Sequence, residues 1–268
     1  MSFSKVFSKQ NRALLRELVA TDFKLRYQGS AIGYAWSLLR PLLFFLILYV
    51  VFVRFLKIGK GVPHYPIYLL LGIVLWSFFA EMTSQSLSAI VSRGDLIRKI
   101  RIPRWIIVLS SSVGTLINLG LNLIVVGIFM IVNNVDVSSS AVFLPFILLQ
   151  IYIFSLGVSL FLGAAFVKYR DISHIWEVVI QALFYLTPIL YPVTVISNVT
   201  FQKLLLINPM AQTIQDARSA LVTPQTLTIA EVFHTPAARL IPFGITLLAL
   251  ILGVLYFKKE AKNFAENL

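Results

Sequence analysis

The chain contains no cysteine, which excludes disulfides, thiolate metal sites and cysteine nucleophiles. It is also poor in charge. Only 13% of its residues are Asp, Glu, Lys or Arg, against about 25% in soluble domains. Acidic residues are the scarcer sign, 11 against 23 basic ones, and no tight carboxylate pair lies in an apolar segment. The run G-x-x-x-x-G-K-[ST] is absent, so this chain has no P-loop of its own for ATP. The three histidines, His64, His174 and His234, stand far apart and at no metal-ligand spacing. Gly-x-Ser-x-Gly is missing too. The first thirty-odd residues lack the short apolar core and small-residue cleavage site of a secretory signal. Asn198-Val199-Thr200 matches a glycosylation triplet, but so short a pattern carries little weight. No metal site and no catalytic constellation is written in these residues, and the chain reads as a non-enzyme.

What is present is apolar surface, 58% of residues at a mean hydropathy of +0.86. Soluble domains carry roughly 45–50%, so composition alone predicts a membrane protein. Apolar runs of about twenty residues are expected near 35–55, 67–90, 105–132, 141–167, 175–196 and 239–257. Six crossings return both termini to one side. With that topology, seventeen of the 23 Lys and Arg fall on the side of the termini and six on the other. The bias predicts cytoplasmic termini. The net charge of +12 is therefore a topology signal and not a footprint for nucleic acid.

The stretch from Arg26 to Val53 carries the most information. It is polar and basic up to Gly33 and free of water-seeking residues from Leu42 to Val53. Tyr34 and Trp36 mark the changeover, where amphipathic rings favour the headgroup zone, and Arg40 can snorkel back to phosphates. Upstream, residues 5–25 read as an amphipathic helix on the cytoplasmic interface. Phe7, Leu14, Leu15, Leu18 and Leu25 share one face at 100° per residue, and Lys5, Lys9, Arg12 and Arg16 the other. Asn11 and Asp22 interrupt the apolar stripe. Within the second run stands Glu81. A charge at that depth costs about 2.5–3.5 kcal/mol on insertion scales, so it should face protein or water, through a helix–helix hydrogen bond or a substrate contact. Between the second and third runs, Arg93 to Arg104 alternates cations with Leu96, Ile97, Ile100 and Ile102, the pattern of a short helix seated in a partner's groove. The mixed loop Lys168 to His174 follows later. Thr187-Pro188 and Tyr191-Pro192 break the fifth run, and 201–222 is half-apolar and irregular. Broken helices at membrane depth need protein or water around them, so re-entrant hairpins are expected there. Phe184, Tyr185 and Tyr191 are candidate sugar-stacking rings or an interfacial aromatic belt.

These residues together resemble the permease subunits of ABC-2 exporters of cell-surface polysaccharides, the O-antigen, capsule, teichoic acid and rhamnose-polysaccharide group. The likeness rests on the Phe23–Tyr27 entry with Gly29-Ser30, on Gly33-Tyr34-Ala35-Trp36 to Pro41, and on Arg170-Asp171-Ile172. Thr187-Pro188 to Tyr191-Pro192 and Asn208-Pro209-Met210 complete it. It implies an all-α polytopic fold with three parts: a gate helix over 1–33, a six-span domain over 34–257 and a cytoplasmic tail over 258–268. It implies a homodimer in a bacterial cytoplasmic (inner) membrane, with two copies of an ATPase that binds ATP and Mg. The cargo would be a lipid-linked polysaccharide. Arg12, Arg16, Lys24 and Arg26 are candidates for its pyrophosphate, with membrane lipid headgroups as the competing anion. Leu96, Ile97, Arg98, Ile100, Arg170 and Asp171 are candidates for ATPase coupling. Rival readings are an ABC-2 permease for a drug or antibiotic, a membrane enzyme acting on lipid-linked sugars, and an ATP-independent channel.

Overall fold

The computed structural model describes residues 9–27, 33–99 and 103–264, and every regular element among them is helical. Helix α1 covers Lys9–Tyr27. Helix α2, Trp36–Leu48, runs on as a wider π-helical stretch, Tyr49–Phe55. Helix α3 covers Tyr65–Ala89, the short α4 Gly94–Lys99, α5 Trp105–Val132 and α6 Leu144–Lys168. Helix α7 covers Ile172–Leu186, followed by α8 at Val199–Ile207 and α9 at Pro209–Leu221. A single turn, α10, occupies Ile229–Val232, and α11 runs over Leu240–Glu260.

Among the described residues, five helical stretches are long and apolar enough to cross a membrane: Trp36–Phe55, Tyr65–Ala89, Trp105–Val132, Ser139–Lys168 and Pro236–Asn263. The protein is thus a multi-pass membrane protein. The fifth expected run, 175–196, contains a helix of only 15 residues, about 22 Å at 1.5 Å per residue. It stops at Leu186 because Pro188 and Pro192 lack the amide hydrogens that further turns need. Of the expected interface helix, residues 5–8 lie outside the described residues, as do Gly29, Ser30 and 265–268 at the end of the expected tail.

Helix α3 is apolar all round and buried along most of its length, as such a helix must be in a bundle. Helices α5 and α6 pack along it, with α2, α7 and α9 on other faces. Helix α2 instead turns Leu43, Phe44, Leu46 and Ile47 outward, where hydrocarbon would be their natural solvent. Helix α11 packs on α6 at backbone contact. A Cβ on Gly253 would stand 2.1 Å from the Gly157 carbonyl oxygen, so only small residues permit this crossing.

Local signals start the short helices at the far end. Asn198 Oδ1 accepts from the amide of Thr200 at 2.8 Å, so the asparagine of the glycosylation triplet is a helix cap. Asn208 Oδ1 accepts from Met210 N at 2.9 Å, with Pro209 in the first turn. This is the capping chemistry expected of Asn-Pro.

Candidate functional site

Helix α1 lies across the first half of α5 and is clasped there by charge. Arg93 Nη2 and Asp22 Oδ1 form an ion pair, and Arg93 Nη1 donates to Ser110 Oγ at 3.0 Å. Asp22, an interruption of the apolar stripe in sequence, is the residue that fastens the helix. Beside the clasp, a cavity of about 440 Å³ separates α1 from α5. Leu15, Val19, Ala20, Val113 and Ile117 supply apolar walls, and Arg12 and Arg16 complete the lining. The two arginines sit one turn apart on the exposed side of α1. An apolar hollow beside paired guanidiniums suits an amphiphile with an anionic head. Of the four expected anion-binding residues, the structure brings Arg12 and Arg16 together. Lys24 is exposed further along the helix, and the side chain of Arg26 lies outside the described residues.

The expected coupling segment divides. Ile97 is 8% exposed and packs with Ala89, Ile90, Ile107, Val108 and Leu160 in the chain's own apolar cluster. The Ile97 side chain itself thus turns back onto α3, α5 and α6. The side chains of Leu96 and Arg98, and all of Ile100, lie outside the described residues. Arg170 and Asp171 are exposed in the turn before α7, with the Arg170 guanidinium 5.2 Å from the Phe166 ring centre.

At the opposite end, the break after α7 is held from both sides. Arg218 of α9 is fully buried. It donates from Nη1 to Pro188 O at 2.6 Å, from Nη2 to Ile189 O at 2.7 Å and from Nε to Tyr68 O at 2.9 Å. Its Nη1 also donates to Gln215 Oε1 at 2.9 Å, and its guanidinium lies 3.6 Å over the Tyr68 ring. Tyr65 Oη donates to the next carbonyl, Leu190 O, at 2.5 Å. Three successive carbonyls that the broken helix leaves over are thus satisfied by α3 and α9, the condition for irregular backbone away from water. Of the candidate stacking rings, Phe184 is buried between Phe44, Trp76 and Tyr185 and offers no open face. Tyr185 is 67% exposed. Tyr191 is half-buried and donates to Tyr185 O at 3.2 Å.

Sequence reasoning counted Arg218 only as a charge on the outer side. It also missed a second polar junction nearby. Gln150 Nε2 donates to Gln212 Oε1 at 2.7 Å, Gln212 Nε2 donates to Asp216 Oδ2, and Arg239 Nε stands 3.7 Å from the same oxygen. Burial pushes the Asp216 carboxyl above the usual range, against the pull of Arg239 and Gln212. Gln150 and Arg239 reach the Gln212–Asp216 pair from other elements, so no local pattern announces the junction. Glu81 behaves as expected of a helix–helix bond: its Oε1 accepts from Asn118 Nδ2 at 2.8 Å.

Residues 13–222 match the family model described as ABC-2 type transporter, most of the chain. The protein belongs to this family. A protein of Myxococcus xanthus, named O-antigen export system permease protein RfbA, is 28% identical over 260 residues, covering 97% of this chain and 96% of that one. A protein of the same name from Klebsiella pneumoniae is 31% identical over 202 residues, 75% of this chain and 77% of its own. The ABC-2 match takes in α1 from residue 13, the α3–α5 connection, the break after α7 and α9, while Arg12 and Arg239 lie outside it.

Proposed function

We propose that this chain is the membrane-spanning permease subunit of an ATP-driven exporter, moving a lipid-linked cell-surface polysaccharide from the cytoplasm to the outer face of the bacterial inner membrane. The observation that carries this reading is the end-to-end similarity to an O-antigen export permease. The apolar hollow beside Arg12 and Arg16 supports it physically, since a lipid-linked substrate of this kind carries a pyrophosphate next to an apolar lipid chain.

In this reading α1, within the segment 1–33, is a gate helix at the cytoplasmic surface, and the basic end of the molecule faces the cytoplasm. Within 34–257, α7 and the break after it complete a sixth passage, while α8 and α9 form re-entrant hairpins at the exit. The segment 258–268 is a cytoplasmic tail. Two copies enclose the path. Two ATPase subunits, holding ATP and Mg, dock below on the α3–α5 connection and on Arg170 and Asp171. ATP-driven closure would bias the pair between closed and open arrangements. Arg12, Arg16, Lys24 and Arg26 receive the pyrophosphate, and Tyr185 and Tyr191 offer rings to sugars at the exit.

Gene deletion tests the reading. Surface polysaccharide should disappear and its lipid-linked form accumulate inside, both restored by the intact gene. Unchanged surface polymer with new sensitivity to a drug would assign the chain to small-molecule efflux instead.

A further inference from the structure

Helices α6 and α11 run parallel and end together. Gly157 meets Gly253 at their crossing, and the Phe161 and Tyr256 rings follow with centres 4.9 Å apart. Beyond them Lys168 lies within electrostatic reach of Tyr256 and Glu260. The outward face of α11 changes character along its length. At 100° per residue Leu248, Ile251, Leu252, Leu255, Lys258 and Lys259 fall in one sector about 120° wide, and all six are exposed. Lys262 is exposed in the next turn. On α6, Phe161 and Lys168 share a face and are exposed as well. The Lys168 ammonium stands 5.1 Å from the centre of the exposed Tyr169 ring. An apolar surface thus gives way, at one level, to four ammonium groups.

Among the described residues none of these four lysines forms an ion pair. The acids of α6, α11 and the turns that follow them are Asp171 and Glu260, and Glu260 is only 8% exposed. Further cations stand close by. Arg170 lies over the Phe166 ring, and the Arg104 guanidinium is 5.9 Å from the Phe264 ring centre. Positive charge is in clear excess where the apolar surface ends. With Leu252 and Leu255 in hydrocarbon, the lysines reach the depth of lipid phosphates. An acidic protein would answer the charge but leave the adjoining apolar rows unmatched. A second copy related by a two-fold axis through this face would set lysines against lysines. An anionic phospholipid answers both parts, with its phosphate and its acyl chains. A zwitterionic one brings its own cation and gains less. The hollow beside Arg12 and Arg16 is a separate place, because α1 packs on α5 whereas α11 packs on α6.

We propose that the end of the α6–α11 pair is a binding site for an anionic phospholipid. Lys168, Lys258, Lys259 and Lys262 meet its phosphate, and Phe161, Leu252 and Leu255 lie along its acyl chains. Its placement in the cytoplasmic leaflet rests on the orientation in the export reading above. The site itself does not depend on the cargo.

Native mass spectrometry of the permease co-expressed with its ATPase measures the binding directly. Cells blocked in the first glycosyl transfer supply protein free of lipid-linked polymer. Dioleoyl phosphatidylglycerol, dioleoyl phosphatidylcholine and farnesyl pyrophosphate are the probes. The intact protein should bind the first phosphatidylglycerol more tightly than phosphatidylcholine. Glutamine at all four lysines should weaken phosphatidylglycerol at least roughly tenfold and leave phosphatidylcholine unchanged. Arginine at the same four positions should keep the affinity, which separates lost charge from a damaged fold. Glutamine at Arg54, Lys57 and Lys60, the cations after α2, should change nothing. Equal phosphatidylglycerol affinity in the intact protein and the four-glutamine variant overturns the site. Loss of farnesyl pyrophosphate in that variant with phosphatidylglycerol retained overturns the phospholipid as occupant. Loss of the ATPase with phosphatidylglycerol retained overturns it too and makes the face a protein dock. None of these outcomes touches the export reading, which loss of surface polymer on gene deletion decides separately.

Discussion

Arg218 makes four hydrogen bonds from a fully buried position, three to main-chain carbonyls and one to a carboxamide. Replacing it with methionine should leave the Pro188 and Ile189 carbonyls unpaired, at about 1–3 kcal/mol each. Lysine should rescue little, because one ammonium cannot reach three separated carbonyls as the planar fork does. Gly72 belongs to the same contact: a Cβ there would stand 2.3 Å from Arg218 Nη2. Gly72→Ala should therefore destabilise alone yet add little on top of Arg218→Met, since both changes act on one contact. Thermal unfolding of the purified protein in detergent checks both points, and additive losses would contradict the shared contact. The sequence shows two prolines at the break and so the break itself. It cannot show which residue answers the freed carbonyls, because Arg218 lies about thirty residues away and its partners there are backbone oxygens common to every residue. Glu81 was more legible, since a lone acid in an apolar run needs a partner wherever it points.

At the scale of the elements, close helix crossings and one ion pair hold the arrangement. Gly253→Leu should force α6 and α11 apart and lower the midpoint of thermal unfolding markedly. Gly244→Ala on the same helix, where an added Cβ meets nothing within 4 Å, should leave it nearly unchanged. Equal effects would remove the close crossing as the cause. The Asp22–Arg93 clasp makes a different prediction. Asp22→Arg and Arg93→Asp should each free α1 from α5, and the double exchange should restore docking. A disulfide between Leu15→Cys and Val113→Cys, which line one cavity, reads the docking in the cysteine-free background. No loss in either single variant would show that apolar contact alone seats α1. Periodicity made α1 and the five long spans legible. Periodicity alone runs the fifth stretch on over 175–196, and only the two prolines show that its helix must end early. Alternation between cations and aliphatics could not say which protein receives Ile97. The aliphatic residues suit a partner's groove and the chain's own cluster equally well, and the structure turns Ile97 inward.

For the whole molecule, that inward turn separates folding from coupling. Ile97→Asp should reduce the amount of inserted permease, because it buries a charge among apolar neighbours. Arg170→Glu with Asp171→Lys, on an exposed turn, should leave insertion intact and weaken co-purification of the ATPase. The reverse pattern would place the docking surface on the α3–α5 connection alone. The claim that joins residues, elements and molecule is that this chain exports a lipid-linked polysaccharide using energy from a separate ATPase. Inside-out vesicles from cells that hold the lipid-linked polymer and both subunits measure this most directly, through the fraction of polymer that becomes protected from an added glycosidase. Protection should rise when ATP is supplied, and should not rise when the permease is absent or when the ATPase P-loop lysine is replaced. Protection that proceeds equally without ATP or without the permease would contradict the account.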